Sequence, residues 1–112
     1  MERTIYINEK AVPLKATGST LRRYRALFNR DLIEDFNTVK NAYDENGTIT
    51  GEIVDILQNM TYVMAKQAEP NLPDVETWLD SFESFPIGDF AADVANLWAE
   101  SMVTTVSDEK KA

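Results

Sequence analysis

A mainly α-helical fold, with an N-terminal β-hairpin followed by about five helices packed in one small domain, is predicted by three observations. The chain opens on a β-rich stretch, Thr4-Ile5-Tyr6-Ile7, and a second extended stretch follows it closely. Beyond residue 20, apolar residues recur every three or four positions in one segment after another. Between those segments stand interruptions: Gly18-Ser19-Thr20, Asp44-Glu45-Asn46-Gly47, Glu69-Pro70-Asn71-Leu72-Pro73 and Phe85-Pro86-Ile87-Gly88. A chain of 112 residues fits one domain, able to bury roughly two-thirds of its unfolded surface. The pattern places that domain at 1–105 and a frayed, charged tail at 106–112, where apolar periodicity is lost.

Each element has its own warrant. Asn8-Glu9-Lys10 supplies a turn after the first strand, and Val12-Pro13-Leu14-Lys15 returns antiparallel, with Pro13 suited to an edge because it lacks an amide hydrogen. An isolated hairpin is marginal in water, so it is expected to lie on a helix or to extend into a sheet with a second chain through its free edge. Gly18-Ser19-Thr20 provides an N-cap for a helix to about Asn29, in which Leu21, Tyr24 and Phe28 share a face. Arg22 and Arg23 point away from that face. Arg25 borders it, and is the arginine expected to be partly buried beside a carboxylate.

Asp31 caps a second helix whose face is Leu32, Phe36, Val39 and Tyr43. Thr50 opens a third, to about Ala68, with Ile53, Ile56, Leu57, Met60, Val63 and Met64 on an apolar face wide enough for a central core helix. Asp74 caps a fourth, lined by Val75, Trp78, Leu79 and Phe82, with Glu76 in its first turn. Asp89 opens the last, where Phe90, Val94, Leu97 and Trp98 form a stripe and Asp93 and Glu100 lie on the opposite edge.

Composition narrows function by exclusion. The chain has no cysteine and no histidine, which removes disulfides, thiolate zinc sites, cysteine nucleophiles and histidine acid–base chemistry. No signal-peptide pattern opens it, and no run approaches the ~20 apolar residues of a membrane span, so a cytoplasmic location is expected. The net charge of −8 opposes binding to nucleic acid or anionic membrane. Asn46-Gly47-Thr48 and Asn59-Met60-Thr61 are glycosylation triplets only in a secreted chain.

Candidate chemistries are correspondingly weak. Asp44, Asn46, Gly47 and Ile49 imitate the middle of a calcium-binding EF-hand loop, but Ala42 and Ile53 stand where the first ligand and the bidentate glutamate belong, so a plain loop is expected and no metal. Asp74, Glu76, Asp80, Glu83, Asp89 and Asp93 single out no catalytic pair and read as caps and solvated charges. The four glycines are too scattered for a phosphate loop. Trp78, Trp98, Met60 and Met64 read as core packing, against the alternative of partner-binding anchors.

Charge is distributed unevenly along the chain. Residues 1–30 carry seven bases and two acids, 31–66 carry two and seven, and 67–112 carry two and ten. Four of the five arginines, Arg22, Arg23, Arg25 and Arg30, fall within nine residues. They admit three readings: salt bridges to the acidic blocks, a docking patch for an acidic partner formed by Arg22, Arg23 and Arg30, or phosphate binding. A DNA-reading helix-turn-helix over Thr20–Phe36 is disfavoured, because Asp31, Glu34 and Asp35 would face the phosphates.

The set Ile5-Tyr6-Ile7-Asn8-Glu9-Lys10, Gly18-Ser19-Thr20-Leu21-Arg22-Arg23-Tyr24-Arg25 and Asn29-Arg30-Asp31-Leu32-Ile33, with the later Trp78-Leu79-Asp80-Ser81-Phe82 and Leu97-Trp98, resembles small tail assembly chaperones of long-tailed bacteriophages and prophages of Gram-positive hosts. The likeness covers roughly Ile5 to Trp98 and rests on core and capping residues. It implies a non-enzymatic protein of the bacterial host cytoplasm that binds the tape measure protein and keeps it soluble while tail tube protein polymerises around it. No cofactor, catalytic residue, nucleic acid or membrane is implied. In that family a longer form often arises by a translational frameshift, for which codons of Lys110-Lys111 would suit slippage. The alternative is a structural head–tail connector or tail completion protein. A DNA-binding regulator and a carboxylate enzyme are the remaining rivals.

Overall fold

The computed structural model describes the backbone of residues 1–45 and 49–111, and their side chains except at 43, 45 and 102–111. Its elements run β1 (Glu2–Ile7), β2 (Lys10–Lys15), α1 (Thr20–Phe28), α2 (Leu32–Glu45), α3 (Gly51–Ala68), α4 (Val75–Asp80) and α5 (Ile87–Lys111). The expected architecture, a hairpin and then five helices, is what the chain adopts. Over the tail expected to fray at 106–112, the backbone continues α5 to Lys111, with the side chains and Ala112 outside the described residues.

The widest apolar face marks the centre. Six successive residues of α3, Met60 to Ala65, are buried, so this helix is covered all round along two turns. The hairpin lies on it through β2, and α1, α2 and α5 pack around it, while β1 also meets α5. Ile5, Ile7, Val12 and Leu14 face inward, and Thr4, Tyr6, Ala11 and Pro13 face outward, the period-two alternation of a sheet with one wet face. Each large apolar side chain fully buried in such a core contributes about 1.5–3 kcal/mol.

The hairpin turn is tighter than the sequence suggests. Ile7 pairs with Lys10, so Asn8 and Glu9 alone make the turn, both with positive φ (52° and 69°), as a two-residue type I′ connection requires. Asn8 tolerates that conformation better than Glu9 does. It is also held from outside: Asn8 Nδ2 donates to the Ser84 carbonyl at 2.7 Å, and its Oδ1 lies 3.1 Å from Ser84 Oγ. Pro13 stands opposite Thr4, which puts its missing donor on the outer edge of β2 and blunts that edge.

Three of the expected caps form. Asp31 Oδ1 accepts from Ile33 N at 2.9 Å, Thr50 Oγ1 from Ile53 N at 3.3 Å, and Asp74 Oδ2 from Thr77 N at 3.3 Å. Ser19 occupies the N-cap of α1 without a side-chain cap bond, because its hydroxyl accepts from Arg23 Nε instead. Two helix limits differ from expectation. α4 stops at Asp80, leaving Phe82 buried but outside the helix, where it meets Trp78 and Phe85 edge-on. α5 starts at Ile87, ahead of Asp89, with Pro86 supplying a preset φ just before its first turn.

An aromatic chain ties the helices together. Tyr24, Phe28, Tyr62, Trp78, Phe85 and Phe90 make successive ring contacts with centroids 5.1–6.5 Å apart, within the range of favourable edge-to-face pairs. Trp78 and Trp98 are 4% and 2% exposed, and Met60 and Met64 are buried with them. These four residues are core packing, as expected. The Trp98 indole N–H is the one buried side-chain polar atom without a hydrogen-bond partner among the described residues.

Candidate functional site

The clustered arginines divide into two groups, and not along the expected line. Asn29 adopts a left-handed conformation (φ 54°) and its N–H closes α1 on the Arg25 carbonyl, an αL stop of the kind asparagine allows. The chain therefore turns sharply, and Arg30 folds back over α2. Its Nε donates to Asp35 Oδ2 and its Nη2 to Asp35 Oδ1, both at 2.8 Å, the bidentate geometry that suits guanidinium to carboxylate. Tyr24 Oη donates to the same Oδ2 at 2.7 Å. The Asp35 side chain is only 5% exposed and that of Arg30 48%.

This triad holds α1 to α2. The Arg30 hydrogen bonds keep the Asp35 carboxyl below its ordinary pKa against the opposing effect of burial, with Tyr24 assisting. Burial, reinforced by the neighbouring carboxylate, pushes the Tyr24 phenol above its ordinary value. The charge of Arg30, one of the three residues expected to form a docking patch, is thus already met within the chain. Asp35 was legible in principle: it falls between Leu32 and Phe36 on the apolar stripe of α2, where a solvated acid does not belong.

Arg25 corrects the expectation in the other direction. It is exposed, with no ion pair among the described residues. The reason is that α1 buries Thr20 and Tyr24, while Leu21 and Phe28 are only half-buried, so the buried face is rotated away from Arg25. Thr20 turns inward because its hydroxyl donates to Gln67 Oε1 at 2.7 Å and accepts from Thr17 N at 2.8 Å. A helical wheel that counts apolar residues alone misplaces such a face.

Arg22 and Arg23 are exposed, as expected. Arg23 lies on one flank of α1 with Ala26 and Leu27, and these three line a cleft of about 180 Å³ with Val63, Lys66 and Gln67 of α3. The walls are mostly apolar, and Leu27 is 48% exposed. Both cations at the rim are positioned by neutral acceptors. Arg23 Nε donates to Ser19 Oγ at 3.0 Å. Lys66 Nζ donates to the Leu72 carbonyl at 3.1 Å and stands 6.0 Å from the Tyr62 ring centre. Neither makes an ion pair among the described residues. Lys66 and Leu27 escape a reading based on charge runs, since one is an isolated lysine and the other an ordinary helix leucine.

The remaining candidates are surface features. Asp74, Glu76, Asp80, Glu83, Asp89 and Asp93 are all exposed; Asp74 caps α4, and the Thr77 hydrogen bonds lower its pKa. Arg3 reaches Asp93 at 3.6 Å and Glu100 at 3.1 Å, which joins β1 to the charged edge of α5. Among the described residues no group of acids has the arrangement of a metal site, and no helix is long and apolar enough to cross a membrane. The EF-hand-like loop falls largely on 46–48, outside the described residues. Thr61, the last residue of the second glycosylation triplet, is buried. Comparison with protein-family models, curated proteins and solved structures finds no match.

Proposed function

We propose that the protein is a non-enzymatic assembly chaperone of the phage tail type, acting in a bacterial host cytoplasm, which binds the tape measure protein and keeps it soluble while the tail tube assembles around it. The observation that carries this reading is unmatched positive charge in one place. Arg22 and Arg23 stand exposed side by side on α1 without ion-pair partners among the described residues, on a chain whose net charge is −8. A surface that leaves neighbouring cations unneutralised amid an excess of acids is suited to meet an anionic protein. The acidic remainder disfavours phosphate polymers and favours solubility of a complex. The resemblance of the hairpin, the arginine-bearing helix and the tryptophan segments to tail assembly chaperones supports the same role.

Co-expression tests it. With the tape measure protein encoded beside this gene, the two are expected to co-purify, and the client is expected to move from the pellet to the soluble fraction. A client that stays insoluble and unbound overturns the reading.

A further inference from the structure

We infer that the cleft between α1 and α3 is the docking site for an acidic amphipathic helix of a partner protein, seated with an apolar ridge on Ala26 and Leu27, above the buried Val63, and with carboxylates on Arg23 and Lys66. Helical spacing, with Leu27 following Arg23 by four residues and Ala26 following Arg22 by four, gives α1 a flank that alternates guanidinium and apolar surface. On the facing side α3 supplies the floor through the buried Val63 and adds an ammonium and an amide through Lys66 and Gln67. An occupant matching both must place acids on either side of an apolar stripe, which is what an amphipathic helix with acidic borders presents.

Charge decides between occupants. Arg23 and Lys66 are held in position by a hydroxyl and a carbonyl, so their charges are oriented without being neutralised. Positioned donors lose little freedom when a carboxylate arrives. A basic or neutral helix would leave both cations against an apolar cleft uncompensated. A second copy would bring its own net charge of −8 against the same excess, which opposes close self-association. Arg25 lies on the opposite flank of α1 from this cleft and takes no part, which separates the inference from a general claim about an arginine patch.

The inference deepens the proposed role by naming the surface and the chemistry of the client segment, and it rests on that role only for the client's identity. The test uses two labelled synthetic helices of about five turns with the same leucine stripe, one bordered by glutamates and the other by lysines. Fluorescence anisotropy is expected to show the glutamate helix binding at least about tenfold more tightly. Raising salt from about 0.1 to about 1 M, which shortens the screening length from about 10 to about 3 Å, is expected to weaken it. Arg23→Glu and Lys66→Glu should each weaken it at least about fivefold, whereas Arg25→Glu should not change it. Leu27→Asp should abolish binding while the circular dichroism spectrum and melting temperature stay those of the parent chain.

Equal binding of the two helices overturns the inference, as does an Arg25→Glu variant as weak as Arg23→Glu. So does a dimer in sedimentation that Leu27→Asp splits, which would assign the cleft to a second copy. The two proposals fail separately. If Leu27→Asp and Arg23→Glu still co-purify with the tape measure protein, the cleft is wrong and the role stands. If the parent chain never binds that client yet prefers the glutamate helix, the role is wrong and the cleft stands.

Discussion

Arg30, just past the C-terminal end of α1, and Arg23, on its flank, put the same residue type to opposite uses. At its C-terminal end Arg30 meets a nearly buried carboxylate in a bidentate pair, and Tyr24 completes the set. On its flank Arg23 meets only a serine hydroxyl, beside a cleft open to solvent. A buried carboxylate without its partner is costly, so the first arrangement constrains how α1 and α2 sit together. An exposed cation without a partner costs almost nothing, so the second is free to be used outside the chain. Adjacent arginines in a sequence therefore need not share a role, and burial of the acid is what distinguishes them.

Removing one member of the buried set should have the largest effect. Arg30→Ala leaves Asp35 facing only Tyr24 and is expected to destabilise by about 2–3 kcal/mol, at or below the usual cost of breaking a buried pair because the guanidinium is half-exposed. Replacing the pair together, Arg30→Met with Asp35→Leu, should recover most of that, since no buried charge is left unmatched. Urea unfolding midpoints of the two variants decide it. A loss below about 0.5 kcal/mol for Arg30→Ala would make the pair equivalent to an ordinary surface bridge and remove the contrast.

Acidity should sharpen the same contrast at intermediate size. The folded pKa of Asp35 lies below its ordinary 3.8, chiefly through Arg30. The unfolded chain therefore takes up the proton first as pH falls. The contribution of this group is fully present above about pH 4 and is lost as pH drops through the lowered value. Tyr24 has the opposite sign: its pKa is raised above 10.0, chiefly by burial, so its contribution is present below 10 and declines as pH rises past that point. Asp35→Asn should flatten the acid limb of a stability profile and Tyr24→Phe the alkaline limb. Profiles that keep their parent shape in both variants would mean that other groups govern the pH response.

What was legible in the sequence followed from local chemistry. The Asp31, Thr50 and Asp74 caps announced three helices because each needs only a short side chain and the amides of the next turn. The apolar face of α3 was wide enough to mark it as central whatever surrounded it. The misplaced features depend on distant partners. Thr20 reads as a polar capping residue until Gln67 is brought beside it, and that bond rotates the buried face of α1 away from Arg25. Phe82 has helical spacing from Trp78 and Leu79, yet Phe85 and Trp78 hold it in a turn. Half of the proposed cleft, Val63, Lys66 and Gln67, lies more than thirty residues downstream of Leu27, and no spacing within α1 points to it.

The smallest effect is the most discriminating for α1 itself. Arg25 sits in the last turn of the helix, where its charge favours the helix dipole by a few tenths of a kcal/mol at an exposed site. Arg25→Ala should therefore cost no more than about 0.5 kcal/mol, whereas Arg22→Ala, in the first turn where the dipole disfavours a cation, should be neutral or stabilising by a few tenths of a kcal/mol. Both values belong to the unfolding baseline of the parent chain, measured in the same buffer and at low salt so that the dipole interaction is not screened. A loss above about 1 kcal/mol for Arg25→Ala would restore it to the interior role that its spacing from Leu21 and Phe28 suggests, and would mean that the buried face of α1 is centred where the apolar wheel puts it. Near-neutrality leaves Thr20 and Tyr24 as that face and leaves Arg25 and Arg23 on opposite flanks of one helix, so that only one of them borders the cleft.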